Sequence, residues 1–268
     1  MPKSFVQAGR LSGRVSETQI QVRRIPFDAP WDWLAAGWRD LWAAPQVSLT
    51  YGAVFAVTAV FLAAGLFQFG LQSLILALAG GFLLLGPLFA VGLYEVSRRL
   101  EARKPVALRN VVWVGLSAPG QLGFFGVVLM FAYAVWLQLA FLLFMLFMGA
   151  RGLPPASEFV PTLLFTPHGL GLLVVGTTVG GVLAAIIFSI SAISVPLMLT
   201  RPVDAVTAMA ASLEAVYKNP KPMALWAALI AGFVASGIAT LSVGLIVVFP
   251  LIGHATWHAF RSLVVDAQ

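Results

Sequence analysis

QLGFFGVVLMFAYAVWLQLAFLLFMLFM, from Gln121 to Met148, contains no charged residue, and its reading decides the fold class. A helix satisfies its own backbone hydrogen bonds, so about 20 apolar residues in that form cross the roughly 30 Å hydrocarbon core of a bilayer. Outward from this stretch, uncharged runs recur at Leu41 to Tyr94, Phe159 to Thr200 and Pro222 to Phe260. Of the 268 residues 60% are hydrophobic and 10% charged, and the mean hydropathy is +0.95. A soluble domain carries about a quarter charged residues. The expected fold is an all-α, polytopic membrane helix bundle.

Six transmembrane helices are predicted, at about 48–69, 73–98, 121–148, 169–200, 222–240 and 241–264. They form one membrane domain, 25–268, after a basic, disordered cytoplasmic tail, 1–24, that lacks the apolar run of a signal peptide. The last two spans share so short a stretch that they form either a tight hairpin turning near Thr240 to Gly244 or one long helix followed by an interfacial one. With six spans, fifteen of the sixteen Lys and Arg fall on one side, leaving Arg151 alone on the other. The positive-inside rule then puts both termini in the cytoplasm.

Amphipathic segments precede the odd-numbered spans. In Pro30 to Ala44, Trp31, Leu34, Trp38, Leu41 and Trp42 share a helical face, so this helix is expected to lie on the inner leaflet. Trp31, Trp33, Trp38 and Trp42, with Trp257 near the end of the last span, read as membrane-interface anchors. Pro105 to Leu116 and Val203 to Tyr217 hold equivalent places. A weak threefold repeat emerges, with Pro45, Pro119 and Pro220 at matching points. GPLFAVGLYEVSRRL (Gly86 to Leu100) aligns without a gap on FPLIGHATWHAFRSL (Phe249 to Leu263), and Pro196 occupies the corresponding part of the fourth span. Three hairpins, each led by a cytoplasmic interfacial helix, are expected.

Candidate chemistry is sparse. The absence of cysteine excludes disulfides, thiolate metal sites and iron–sulfur clusters. His254 and His258 share a helical face but lack a third ligand nearby in sequence, so no metal or cofactor is expected. Eight residues after Pro87, Pro196 and Pro250 stand Glu95, Asp204 and His258, which a pseudo-symmetric arrangement would gather, with His254 beside them, into a polar cluster. Small residues at four-residue spacing, Gly176 and Gly180, then Ala228, Gly232, Ser236 and Thr240, read as helix-packing faces. No catalytic constellation or nucleic-acid module is present, and the pI of 10.2 follows from the orientation charges.

RRIPFDAPWDWLAAGWRDLWAAP (Arg23 to Pro45), GPLFAVGLYEVSRRLE (Gly86 to Glu101) and FPLIGHATWHAFRSLV (Phe249 to Val264) together resemble an uncharacterised bacterial integral membrane family, the domain of unknown function 2189. Some of its members are labelled as cytochrome c oxidase subunits. The resemblance implies a bacterial inner-membrane location, covers nearly the whole chain after Arg23 and brings no catalytic residues with it. The expected function is that of a non-enzymatic accessory, assembly or scaffold component of a membrane complex, partnered by the bilayer and by another membrane protein or further copies of itself. The alternative is a small-solute permease built on the proline-broken hairpins, and a haem or metal enzyme ranks last.

Overall fold

The computed structural model describes residues 20–71, 74–109, 111, 114, 120–149 and 156–265. Among these the chain is helical, with one isolated antiparallel bridge, Val22 to Val264. In chain order the helices are α1 (Ala29–Ala43), α2 (Pro45–Gln68), α3 (Ile75–Phe89), α4 (Val91–Glu101), α5 (Gly120–Met148), α6 (Ala156–Phe165), α7 (Pro167–Ser191), α8 (Ser194–Thr200), α9 (Ala205–Lys218), α10 (Pro220–Ala239) and α11 (Leu245–Leu263).

Prolines set several boundaries. The residue before proline is driven out of the α region, so α1 ends at Ala44 before Pro45, and α9 ends at Asn219 before Pro220. The two joints have nearly the same backbone, φ −135 and ψ 58 at Ala44 against φ −129 and ψ 53 at Asn219. Pro119, the third marker, lies outside the described residues. Pro196 sits in the first turn of α8, just after a break at Ala192 and Ile193. The missing N–H is tolerated there. By contrast, Pro250 lies within an uninterrupted α11.

Four helical segments are long and apolar enough to cross a membrane: α2, α5, α7 continued by α8, and α10. The other two expected spans are shorter. α3 has 15 residues, about 22 Å at 1.5 Å per residue, before the chain breaks at Ala90. α11 has 19 residues, about 28 Å, and its second half carries His254, His258 and Arg261. Pro222 to Val264 does form two helices, joined at residues 240–244. Leu241 and Ser242 adopt left-handed backbone there, and the Gly244 N–H donates to Thr240 Oγ1 at 2.8 Å.

α11 is the hub of one packing centre, buried against α1, α2, α4 and α10. Glycines allow the close approach: a Cβ on Gly37 would lie 2.7 Å from the Ala255 backbone, and one on Gly52 only 2.1 Å from the Ile246 carbonyl. Phe249 stacks on Phe55 with centroids 3.7 Å apart, and Trp33 meets Trp226 edge-on at 5.6 Å. In a second centre α5 packs on α3 and α7. Trp136 donates to the Ala77 carbonyl at 2.7 Å, and its ring fills the notch left by Gly180.

Residues 20–24, grouped with the tail by composition, pair with the end of α11 and beyond. The Arg23 N–H donates to the Leu263 carbonyl and the Val265 N–H to Gln21, both at 3.0 Å, while Asn219 binds Ile25 N and Arg23 O. Residues 1–19 lie outside the described ones.

Candidate functional site

The buried polar groups of the α11 packing centre form one connected set. His254 is fully buried, and both ring nitrogens reach serines: Nε2 is 3.0 Å from Ser48 Oγ on α2, and Nδ1 is 2.8 Å from Ser97 Oγ on α4. One turn further along α11, His258 Nε2 lies 2.8 Å from Asp40 Oδ2 on α1. Ser97 is also placed to hydrogen-bond the Asp40 carboxylate, which links the two histidines through Ser97 and Asp40.

Burial pushes the Asp40 carboxyl up, but the hydrogen bonds from His258 and Ser97 and the charges of the two histidines outweigh it, so the group is held below its ordinary value. The set joins α1, α2, α4 and α11. His258 sits at the half-buried rim of the set, and His254 is enclosed.

Around this set, Glu95 is buried and receives Arg98 at 2.6 Å and Arg99 at 2.7 Å, one turn on in the same helix. Glu101 receives Trp257 Nε1 at 3.1 Å and Arg261 at 3.0 Å, locking α4 to α11. Asp204 is the N-cap of α9 and accepts from the Thr207 backbone and hydroxyl at 2.9 and 2.7 Å; these bonds hold its exposed carboxyl below the usual range. Among the described residues no hydrogen bond or ion pair joins Glu95, Asp204 and His258. The structure brings His254 and His258 into one network, whose other members are Asp40, Ser48 and Ser97. Those three gave little sign in sequence, since serine is ordinary in a helix and Asp40 reads as the wet face of α1. No group of three His, Asp or Glu residues among the described ones is placed to hold a metal.

The tryptophans divide. Trp31, Trp38 and Trp42 are about half exposed, while Trp33 and Trp257 are buried in the protein. Trp33 and Trp257 are therefore packing residues rather than headgroup anchors, because α1 turns Trp33, Leu34, Gly37 and Leu41 toward α11 and α10.

Residues 74–200 match the family model DUF2189, predicted integral membrane protein. This is the family the sequence resembles, and with the four apolar helices it makes the chain an integral membrane protein. The DUF2189 match runs from the start of α3 to the end of α8, short of half of the chain. Ser97 and the Glu95 pairs lie within it; Asp40, Ser48, His254 and His258 do not. No curated protein and no solved structure matches the chain.

Proposed function

We propose that this is a non-enzymatic, multi-span protein of the bacterial inner membrane, an accessory or scaffold subunit that associates laterally with another membrane protein or with its own copies. The observation that carries the reading is the outer face of α10. Ala224, Ala228, Ala231, Gly232, Ala235, Ser236 and Ala239 are all exposed, and a Cβ on Gly232 would meet no described atom within 4 Å. Lipid-facing helix surfaces are ordinarily covered by large apolar side chains, whereas small residues at this spacing let a second helix approach closely. Gly176 on α7 is likewise open.

Three hairpins with both termini in the cytoplasm fit this reading. Arg23 bonds the Arg261 and Ser262 carbonyls, Lys218 reaches the Val22 carbonyl, Arg201 that of Val265, and Arg261 pairs with Glu101. Basic segments from every part of the chain thus gather at one end, which the positive-inside rule assigns to the cytoplasm. The polar network lies at that same end, whereas a permease needs its polar residues near the midplane.

Purification from native membranes in mild detergent, with mass spectrometry and light scattering, tests the proposal. A stoichiometric partner or a homo-oligomer is expected, and Gly232→Leu should release it while leaving the melting curve unchanged. A wild-type protein that purifies as a lone monomer would rule the scaffold reading out.

A further inference from the structure

A cavity of about 350 Å³ opens between the joint of α1 and α2, residues 43–47, and a facing wall of Leu100, Lys104 and Val106. Its volume lies at the low end of the range for small-ligand sites, large enough for a headgroup and too small for an acyl chain. Lys104 and the Gln46 amide supply hydrogen-bond donors, and none of the lining residues is acidic. The cations nearby differ in how they are used. Arg98 and Arg99 both pair with Glu95, and Arg261 with Glu101, but Lys104 makes no ion pair among the described residues.

Lys104 is held in place. The Arg103 N–H donates to Leu100 and the Lys104 N–H to Arg99, at 3.0 and 2.8 Å, closing the end of α4 as a fixed turn. Arg103 takes the left-handed position of that turn, φ 52. Trp42, one residue before the cavity wall, is half exposed and meets Trp38 edge-on at 5.6 Å. An exposed tryptophan pair of this kind marks the headgroup layer. The cavity therefore lies where the apolar part of α2 begins, at the level of the lipid phosphates.

We propose that this cavity binds the headgroup of an anionic phospholipid, with its phosphate on Lys104 and Gln46 and its glycerol end against Trp42. The proposal rests on α2 entering the bilayer at Pro45, as in the reading above. A headgroup bearing its own ammonium would bring a positive charge toward Lys104 and so bind more weakly.

Native mass spectrometry of the delipidated full chain, titrated with phosphatidylglycerol and with phosphatidylcholine of the same acyl chains, tests it. One phosphatidylglycerol should be retained in preference to phosphatidylcholine. Lys104→Gln should reduce that preference about five-fold, the factor equivalent to roughly 1 kcal/mol per basic residue at a membrane surface. Lys104→Arg should keep it, as should Lys221→Gln, which removes a cation elsewhere; an unchanged melting curve for Lys104→Gln excludes misfolding. Equal retention of the two lipids, an unchanged preference in Lys104→Gln, or competition by inorganic phosphate at the lipid's own concentration would overturn the site. If the preference is missing while the protein still fractionates with membranes, the site falls and the membrane reading stands.

Discussion

His254 is fully buried, and its two ring nitrogens meet Ser48 and Ser97. Replacing it by alanine takes a partner from two buried hydroxyls and opens a cavity, so His254→Ala should lower stability in detergent by on the order of 1 to 3 kcal/mol, measured by thermal unfolding. Asp40 gives the pH dependence. Its carboxyl is held below the ordinary value, so the stabilisation it contributes is fully present above the unfolded carboxylate pKa and is lost as pH falls through the lower, folded one. Asp40→Asn should therefore melt earlier than wild type at neutral pH, and the difference should vanish on acidification. Asp204→Asn should change little at neutral pH, because asparagine caps a helix about as well as aspartate. A gap between wild type and Asp40→Asn that persists in acid would remove the charge from the account. At this scale the sequence was half legible: the i, i+4 spacing singled out His254 and His258, but Ser48 lies 206 residues from its histidine, and nothing local distinguishes it from other helical serines.

Between helices, contact is decided by where glycine removes a side chain, and the spacing of small residues alone did not show which glycines those are. Gly176 and Gly232, which read as packing positions, face open space, while Gly37 and Gly52, outside any obvious stripe, seat α1 and α2 against α11. A glycine stripe is a surface property, and whether a neighbour fills it depends on pairings from the far end of the chain. The joints were more legible, because proline acts on the residue before it whatever surrounds the helix; Ala44 and Asn219 accordingly share one geometry. Gly52→Ala should force α2 from α11, since its Cβ would sit 2.1 Å from a backbone carbonyl that cannot rotate away. The cost expected is about 1 to 3 kcal/mol, as for an overpacked core. Gly65→Ala, in the same helix with nothing within 4 Å, should be neutral or slightly stabilising. Equal melting temperatures for the two variants would mean that the α2 to α11 contact does not form in the detergent-solubilised protein.

The molecule as a whole has a tight end, where segments 21–23 and 263–265 meet Asn219 and α1 and α4 pack on α11, and a loose end, where the apolar spans stand apart; α5 is only 11% buried over its most apolar stretch. Hydropathy made the loose end readable, because lipid selects for apolar residues however the helices are paired. The tight end was not readable, since it is built from contacts such as Val22 with Val264 that hydropathy does not register. That bridge makes a topological prediction that does not depend on charge. Residues 21–23 and 263–265 hydrogen-bond each other, so these two segments share one side of the membrane and an even number of crossings is expected between them, four by the long apolar helices alone and six if α3 with α4 and α11 also cross. Six crossings require α11 to be a span, and its 19 residues, about 28 Å, reach across only if its last turns emerge into the basic end of the molecule, where Arg261 meets Glu101. With the basic end assigned to the cytoplasm by the positive-inside rule, a green fluorescent protein fused after Gln268 should fluoresce and an alkaline phosphatase fused there should be silent, with reporters placed before Met1 giving the same answer. Active phosphatase at both ends would invert the orientation and leave the bridge intact. Active phosphatase at the C-terminus alone would break the bridge, leave α11 lying along the surface and reduce the crossings to an odd number.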